Sequence, residues 1–277
     1  MGLVEFSCAV LATSALAGWL GALTGLGGGV VIVPALALLF HVDLRYAIGA
    51  SLISVIATSS GAAVSYVREG LSNVRIGMFL EVATTLGALL GAYLTALIST
   101  HVIGIIFGLT LLYSAWSSFR HHPQEGPPVH NRLAERLRLQ GDYPSEGGRT
   151  AYVAQNVPAG FGIMFLAGGL SGLLGIGSGA VKVLAMDQAM KLPFKVSTTT
   201  SNFMIGVTAA ASAGVYLSRG YVSPGLAAPV MLGVLAGSLL GARMLVRMRV
   251  PVLRMLFAVV IVVLGVEMIY SGATGRL

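Results

Sequence analysis

The chain has 277 residues, of which 56% are hydrophobic and only 10% charged, with a mean hydropathy of +0.86. A soluble domain carries about 25% charged residues, so this composition excludes a soluble enzyme, a nucleic-acid binder and a disordered chain. The formal charge of +7 comes from too few Lys and Arg to track phosphates, and on a polytopic membrane protein those residues report topology instead. The single cysteine, Cys8, excludes a disulfide framework within one chain.

Glu5 is the only charged residue before Asp43, and the first Lys or Arg is Arg45. A secretory signal would open on positive charge. The apolar stretch from Phe6 is therefore expected to be mature transmembrane chain. Apolar segments lie at about 6–24, 30–40, 46–66, 76–98 and 102–119. Residues 120–150 then hold nearly all the dense charge. Their Pro/Gly-rich flanks read as loop, and Val129–Leu139 as one short amphipathic helix. Apolar segments resume at about 160–174, 180–190, 197–217, 225–245 and 252–270. The expected organisation is a first transmembrane repeat over 1–119, a linker over 120–150 and a second repeat over 151–277.

The repeat is visible in the residues. A shift of 150 positions lays LAGWLGALTGLGGGVVIVPA over LAGGLSGLLGIGSGAVKVLA, and GALLGAYL over GSLLGARM, without a gap. Ser51, Thr58, Tyr66, Gly70 and Phe107 then coincide with Ser201, Thr208, Tyr216, Gly220 and Phe257. If each half crosses the bilayer an odd number of times, one side receives Arg68, Arg75, the linker arginines, Lys191, Lys195 and the cluster Arg243, Arg247, Arg249 and Arg254. The other side receives only Arg45, Arg219 and Arg276. An even number would set two strongly basic regions on opposite sides, against the positive-inside rule. The expected fold is all-α and polytopic, with two inverted-topology repeats, a cytoplasmic linker and both termini outside. Each repeat has a glycine-broken helical hairpin plus about three transmembrane helices. Residues 30–40 would span about 16 Å, roughly half a hydrocarbon core. The first two segments of each half can thus be a re-entrant hairpin or two tilted passes.

The breaks are Gly25-Leu-Gly27-Gly28-Gly29 and Gly175-Ile-Gly177-Ser178-Gly179. Glycine runs can unwind a helix and bare backbone amides, and the next helix then opens with its positive dipole end, which favours an anion. Irregular backbone at membrane depth survives where it is buried or lines a watery cavity. A matched pair of breaks points to one site between the halves, although glycines also serve close helix packing.

The stretches GLGGGVVIVPALAL and YAIGASLISVIATSSGAAVSYVREG, with a weaker second copy, resemble the sulfite exporter TauE/SafE family, also called toluene sulfonate uptake permeases. The resemblance covers both halves and omits the linker. It implies a multi-pass carrier of the bacterial inner membrane that moves sulfite, sulfonates or related anions. The second half departs from the pattern at Ser178, in place of the middle glycine, and at Leu184, in place of Pro34.

Five polar positions inside apolar segments are candidates. Lys182, three residues beyond Gly179, needs a partner or water, since a central cation costs about 2.5–3.5 kcal/mol on insertion scales. An anion would relieve that cost; so would a pair with Asp187, which is poorly placed on the same helix. Ser201 and Asn202, with Ser51 in the first half, can donate to sulfonate oxygens or bond between helices. Glu81 can carry a coupling proton, or lie at the interface near Arg75. The substrate-site expectation comprises Gly25, Gly27, Gly28, Gly29, Ser51, Gly175, Gly177, Ser178, Gly179, Lys182, Ser201 and Asn202, with Glu81 as the coupling candidate. No catalytic residue, metal site, cofactor or nucleic-acid partner is implied. The sequence reads as a secondary carrier of a small sulfur-containing anion in the lipid bilayer, with a proton or sodium ion as the coupling partner. An inside-negative potential drives an anion outward by about 2.3 kcal/mol per charge per 100 mV, so export needs no coupling and uptake does. The alternative is a membrane scaffold or chaperone subunit without transport; an intramembrane enzyme lacks a paired nucleophile and base.

Overall fold

The computed structural model describes residues 2–24, 28–68, 72–119, 132–145, 148–245 and 250–276. The first half holds α1 (Leu3–Thr24), α2 (Gly29–Leu39), α3 (Leu44–Arg68), α4 (Val74–Leu94) and α5 (Thr100–Phe119). A short α6 (Arg132–Arg136) and a hairpin of β1 (Gln140–Ser145) and β2 (Gly148–Val153) follow. The second half holds α7 (Val157–Leu174), α8 (Gly179–Leu184) continued by a π turn (Ala185–Ala189), α9 (Phe194–Ser218), α10 (Pro224–Leu245) and α11 (Val250–Ala273). Among the described residues, Val74–Leu94, Val157–Leu174 and Pro224–Gly241 are long and apolar enough to cross a bilayer, and five further apolar stretches, Glu5–Gly21, Gly29–Leu39, Leu44–Ser60, Thr100–Trp116 and Val259–Ala273, are shorter. Leu86, Leu90, Leu239, Leu240, Val262 and Val263 are exposed. In water such faces would aggregate; against lipid they are ordinary surface.

Packing repeats with the halves exchanged. α1 packs on α10 and its counterpart α7 on α4, while α3 packs on α9 and α5 on α11. The contacts are backbone-close because glycine occupies them. A Cβ on Gly168 would meet the Thr84 carbonyl, and one on Gly18 would meet that of Val234, the counterpart of Thr84. Gly87 abuts the Phe165 carbonyl, and its counterpart Gly237 that of Ala15. Hydrocarbon solvent gives helices no hydrophobic reason to associate, so close van der Waals contact at small residues carries the association. Gly108 faces Gly265 while Gly272 faces His101, which makes α5 and α11 antiparallel.

The linker holds more structure than its composition suggests. Within the expected amphipathic segment 129–139, residues 129–131 lie outside the described residues and the α-helix spans only Arg132–Arg136. The hairpin follows, in register from Gln140↔Val153 to Ser145↔Gly148. Leu139, Tyr143 and Tyr152 are buried against Ile76, Met186, Met190 and Val196. Asn73 Nδ2 donates to the Tyr152 hydroxyl at 2.9 Å, and the Gln155 N–H to the Met190 carbonyl at 2.8 Å. The hairpin thus covers one end of the bundle, at the start of α4. At the far end of α4, Arg219 donates to the Tyr93 carbonyl at 3.0 Å and lies over the Tyr93 ring. Arg45 joins it there, over the ring of Tyr221.

Candidate functional site

The two glycine breaks meet in the interior. Gly25 and Gly27 lie outside the described residues; Gly28 caps α2 and Gly29 is its first residue. In the second break Gly175 (φ +67°), Gly177 (φ +73°) and Ser178 (φ 47°) adopt left-handed conformations between α7 and α8. Glycine takes that geometry freely, whereas at Ser178 it costs about 1–2 kcal/mol. A Cβ on Gly29 would lie 2.7 Å from Ser51 Oγ and 3.1 Å from the Gly175 carbonyl oxygen. Ser51 Oγ donates to that same carbonyl at 2.9 Å, so α3 of one half fixes the break of the other. Ser201 Oγ donates to the Gly179 carbonyl at 3.3 Å. Both serines therefore hold the backbone of the second break. Asn202 is half-buried on α9 and does not line the cleft described next.

A narrow cleft, with room for about one water molecule, opens beside the breaks. Val30 of α2 forms one wall, Ile176, Ser178, Gly179 and Val181 another, and Thr110 and Ser114 of α5 a third. Ser178 Oγ is buried without a hydrogen-bond partner. The Thr110 and Ser114 hydroxyls donate back to the Ile106 and Thr110 carbonyls, each at 2.8 Å. A hydroxyl rotates and keeps its lone pairs, so these bonds can be exchanged for a ligand's. The opening turns of α2 and α8 add backbone N–H groups that have no carbonyl within their own helix. The walls are uncharged and mostly apolar, with three hydroxyls among them. Sequence reading missed Thr110 and Ser114, because their repeat counterparts are Val260 and Leu264 and the self-alignment gives no match.

Lys182 points elsewhere. It is fully buried and does not line the cleft, although its neighbour Val181 does. Its Nζ donates to Thr208 Oγ1 at 2.6 Å, and Thr208 Oγ1 donates to Glu81 Oε1 at 2.7 Å. Thr85 Oγ1 donates to the same carboxylate oxygen at 3.2 Å. Glu81 is 5% exposed and its Oε2 has no hydrogen-bond partner, so it is an interior group and not an interfacial neighbour of Arg75. The partner of Lys182 thus comes from α4 through α9, and not from Asp187 on its own helical segment. Two distinct arrangements result: an uncharged cleft between the breaks, and a charged chain of three side chains behind it.

A family model described as "Sulfite exporter TauE/SafE" matches residues 10–268. "Probable membrane transporter protein YunE" of Bacillus subtilis (strain 168) is 28% identical over 264 residues, covering 93% of this chain and 95% of that protein. "Probable membrane transporter protein YdhB" of the same organism is 26% identical over 221 residues, covering 79% and 82%. No solved structure matches the chain.

Proposed function

The chain belongs to the sulfite exporter TauE/SafE family of membrane transporters, and on that premise we propose that it carries a small sulfur-containing anion, sulfite or a sulfonate, through the cleft between its two glycine breaks. The observation that carries the site is the unpartnered Ser178 hydroxyl, buried in a cleft walled by the second break and by Val30, the residue that follows the first. Sulfite and sulfonate present three oxygens, and the hydroxyls of Thr110, Ser114 and Ser178 with the amides around Gly28, Gly29, Gly177 and Gly179 can donate to them. Neutral donors hold an anion without the deep well of a fixed cation, which favours release on the far side. Ser51 and Ser201 act as positioning residues through the break's backbone. Gly175 serves the unwinding itself, and Asn202 stands back from the ligand.

In this reading the halves are inverted in the membrane. The antiparallel course of α5 and α11 and the exchange of contacts between halves support it. Arg75, Arg132, Arg136, Arg138, Arg149, Lys191 and Lys195 gather toward the hairpin end, and Arg45 and Arg219 lie at the other, so the hairpin is cytoplasmic and both termini are outside.

The test is uptake by the purified protein in proteoliposomes, across sulfite, sulfate, methanesulfonate, taurine and chloride. Flux of sulfite or a sulfonate above that of protein-free vesicles is expected, with chloride excluded. A correctly folded protein that moves none of the sulfur anions contradicts the assignment.

A further inference from the structure

The Glu81–Thr208–Lys182 chain has a built-in comparison in the other half of the molecule. There the equivalent positions are Met231, Thr58 and Ile32. Ile32 is fully buried, and the Thr58 hydroxyl bonds only to its own helix, at the Ser54 and Val55 carbonyls. The fold therefore closes this junction with apolar side chains on one side and with a carboxylate and an ammonium on the other. Removing two charges from water is costly even when they are paired, and buried ionisable groups inside membrane segments mark ion and proton pathways. Packing does not call for this pair.

We propose that Glu81 and Lys182 are the proton-coupling site of the carrier, Glu81 taking one proton from water on the side to which the protein opens and returning it to water on the other. The proposal rests on the transport reading above. The proton is taken at Oε2, which has no hydrogen-bond partner. With Glu81 ionised, the pair sums to zero. With Glu81 neutral, the Lys182 ammonium is left uncompensated, one residue along α8 from Val181 on the cleft wall. An extra positive charge there favours an anion in the cleft, so proton and anion load together and leave together. Asp187 lies on the π turn that continues α8, and among the described residues Lys182 is the charged group that acts on Glu81. α7, packed against α4, contains no ionisable side chain, and the two on α9, Lys195 and Tyr216, sit near its ends. The remaining polar neighbours of Glu81 are the Thr84, Thr85 and Thr208 hydroxyls.

Methanesulfonate stays ionised across the useful pH range and is the probe. In proteoliposomes an acidic exterior should speed labelled methanesulfonate uptake by about fivefold or more and acidify the lumen with it. Glu81→Met combined with Lys182→Ile copies the residues of the other half and should fold. This double variant should still exchange tracer but lose the response to the pH gradient. An unchanged gradient response in the double variant overturns the proposal, as does drive by a sodium gradient with indifference to pH. Infrared titration of the protein in lipid gives a readout without substrate. The wild-type minus Glu81→Gln difference spectrum should show one protonated-carboxyl band that grows on acidification. If the wild type moves no methanesulfonate, the substrate assignment suffers and this difference band decides the proton site alone: its absence overturns the proposal.

Discussion

Ser178 holds a backbone conformation that glycine would adopt at no cost, and it also presents the one unpartnered hydroxyl in the cleft. The two properties separate on mutation. Ser178→Gly restores the residue found at Gly28 and relieves about 1 kcal/mol of backbone strain, so thermal stability should rise slightly. The lost hydrogen bond to an anion is worth about 1.5–3 kcal/mol, so calorimetry should find sulfite bound roughly ten- to a hundredfold more weakly. Unchanged affinity would remove the hydroxyl from the site. Lys182 behaves in the opposite way. Lys182→Met leaves a buried carboxylate unpaired and should cost about 3–5 kcal/mol, read as a fall in melting temperature. Adding Glu81→Gln should restore most of it. A melting temperature untouched by Lys182→Met would show that the pair contributes nothing to the fold.

Within α7 two glycines sit in opposite surroundings. Gly168 touches the Thr84 backbone of α4, while Gly162 has open space where a Cβ would stand. Gly168→Ala should therefore destabilise the protein by about 1–3 kcal/mol through overpacking. Gly162→Ala should gain up to about 1 kcal/mol of helix propensity. Thermal unfolding in detergent compares the two directly, and equal effects would contradict the packing account. The hairpin makes a pH prediction. Burial pushes the Tyr152 phenol above its ordinary value, a shift opposed by its bond from Asn73 and reinforced by Asp142. The neutral phenol is thus favoured in the docked state. Its contribution to stability is complete below about pH 10, the ordinary phenol value, and is lost as pH rises through the higher folded value. Tyr152→Phe should abolish that alkaline loss in a melting series, and an identical pH profile would contradict hairpin docking through Tyr152.

At the scale of the whole molecule, the repeat made much of the helix pattern readable. α3 and α9, at Leu44–Arg68 and Phe194–Ser218, share bounds at a spacing of 150 residues, as the self-alignment implies. The glycine breaks were legible because two copies of an unusual run occur at that spacing. The hairpin was not, since a charged, Gly/Pro-rich segment reads as loop and its strands are fixed by burial of Tyr143 and Tyr152 against other elements. The partner of Lys182 was hidden for a similar reason. Periodicity places a residue on a helix but does not say which distant carboxylate faces it. Topology has its own test in single cysteines introduced on a Cys8→Ser background. Ser223→Cys should label with an impermeant thiol reagent on intact cells and Gln140→Cys should not; the reverse pattern would overturn the inverted arrangement.

In the proposed site the anion rests between the two breaks and not against the buried lysine. Crystals soaked in selenite, a sulfite analogue with an anomalous signal, locate it directly. An anomalous peak is expected in the cleft walled by Val30, Thr110, Ser114 and Ser178, absent from crystals of Gly29→Leu. A peak beside Lys182 and Thr208, with the cleft empty, would contradict that placement.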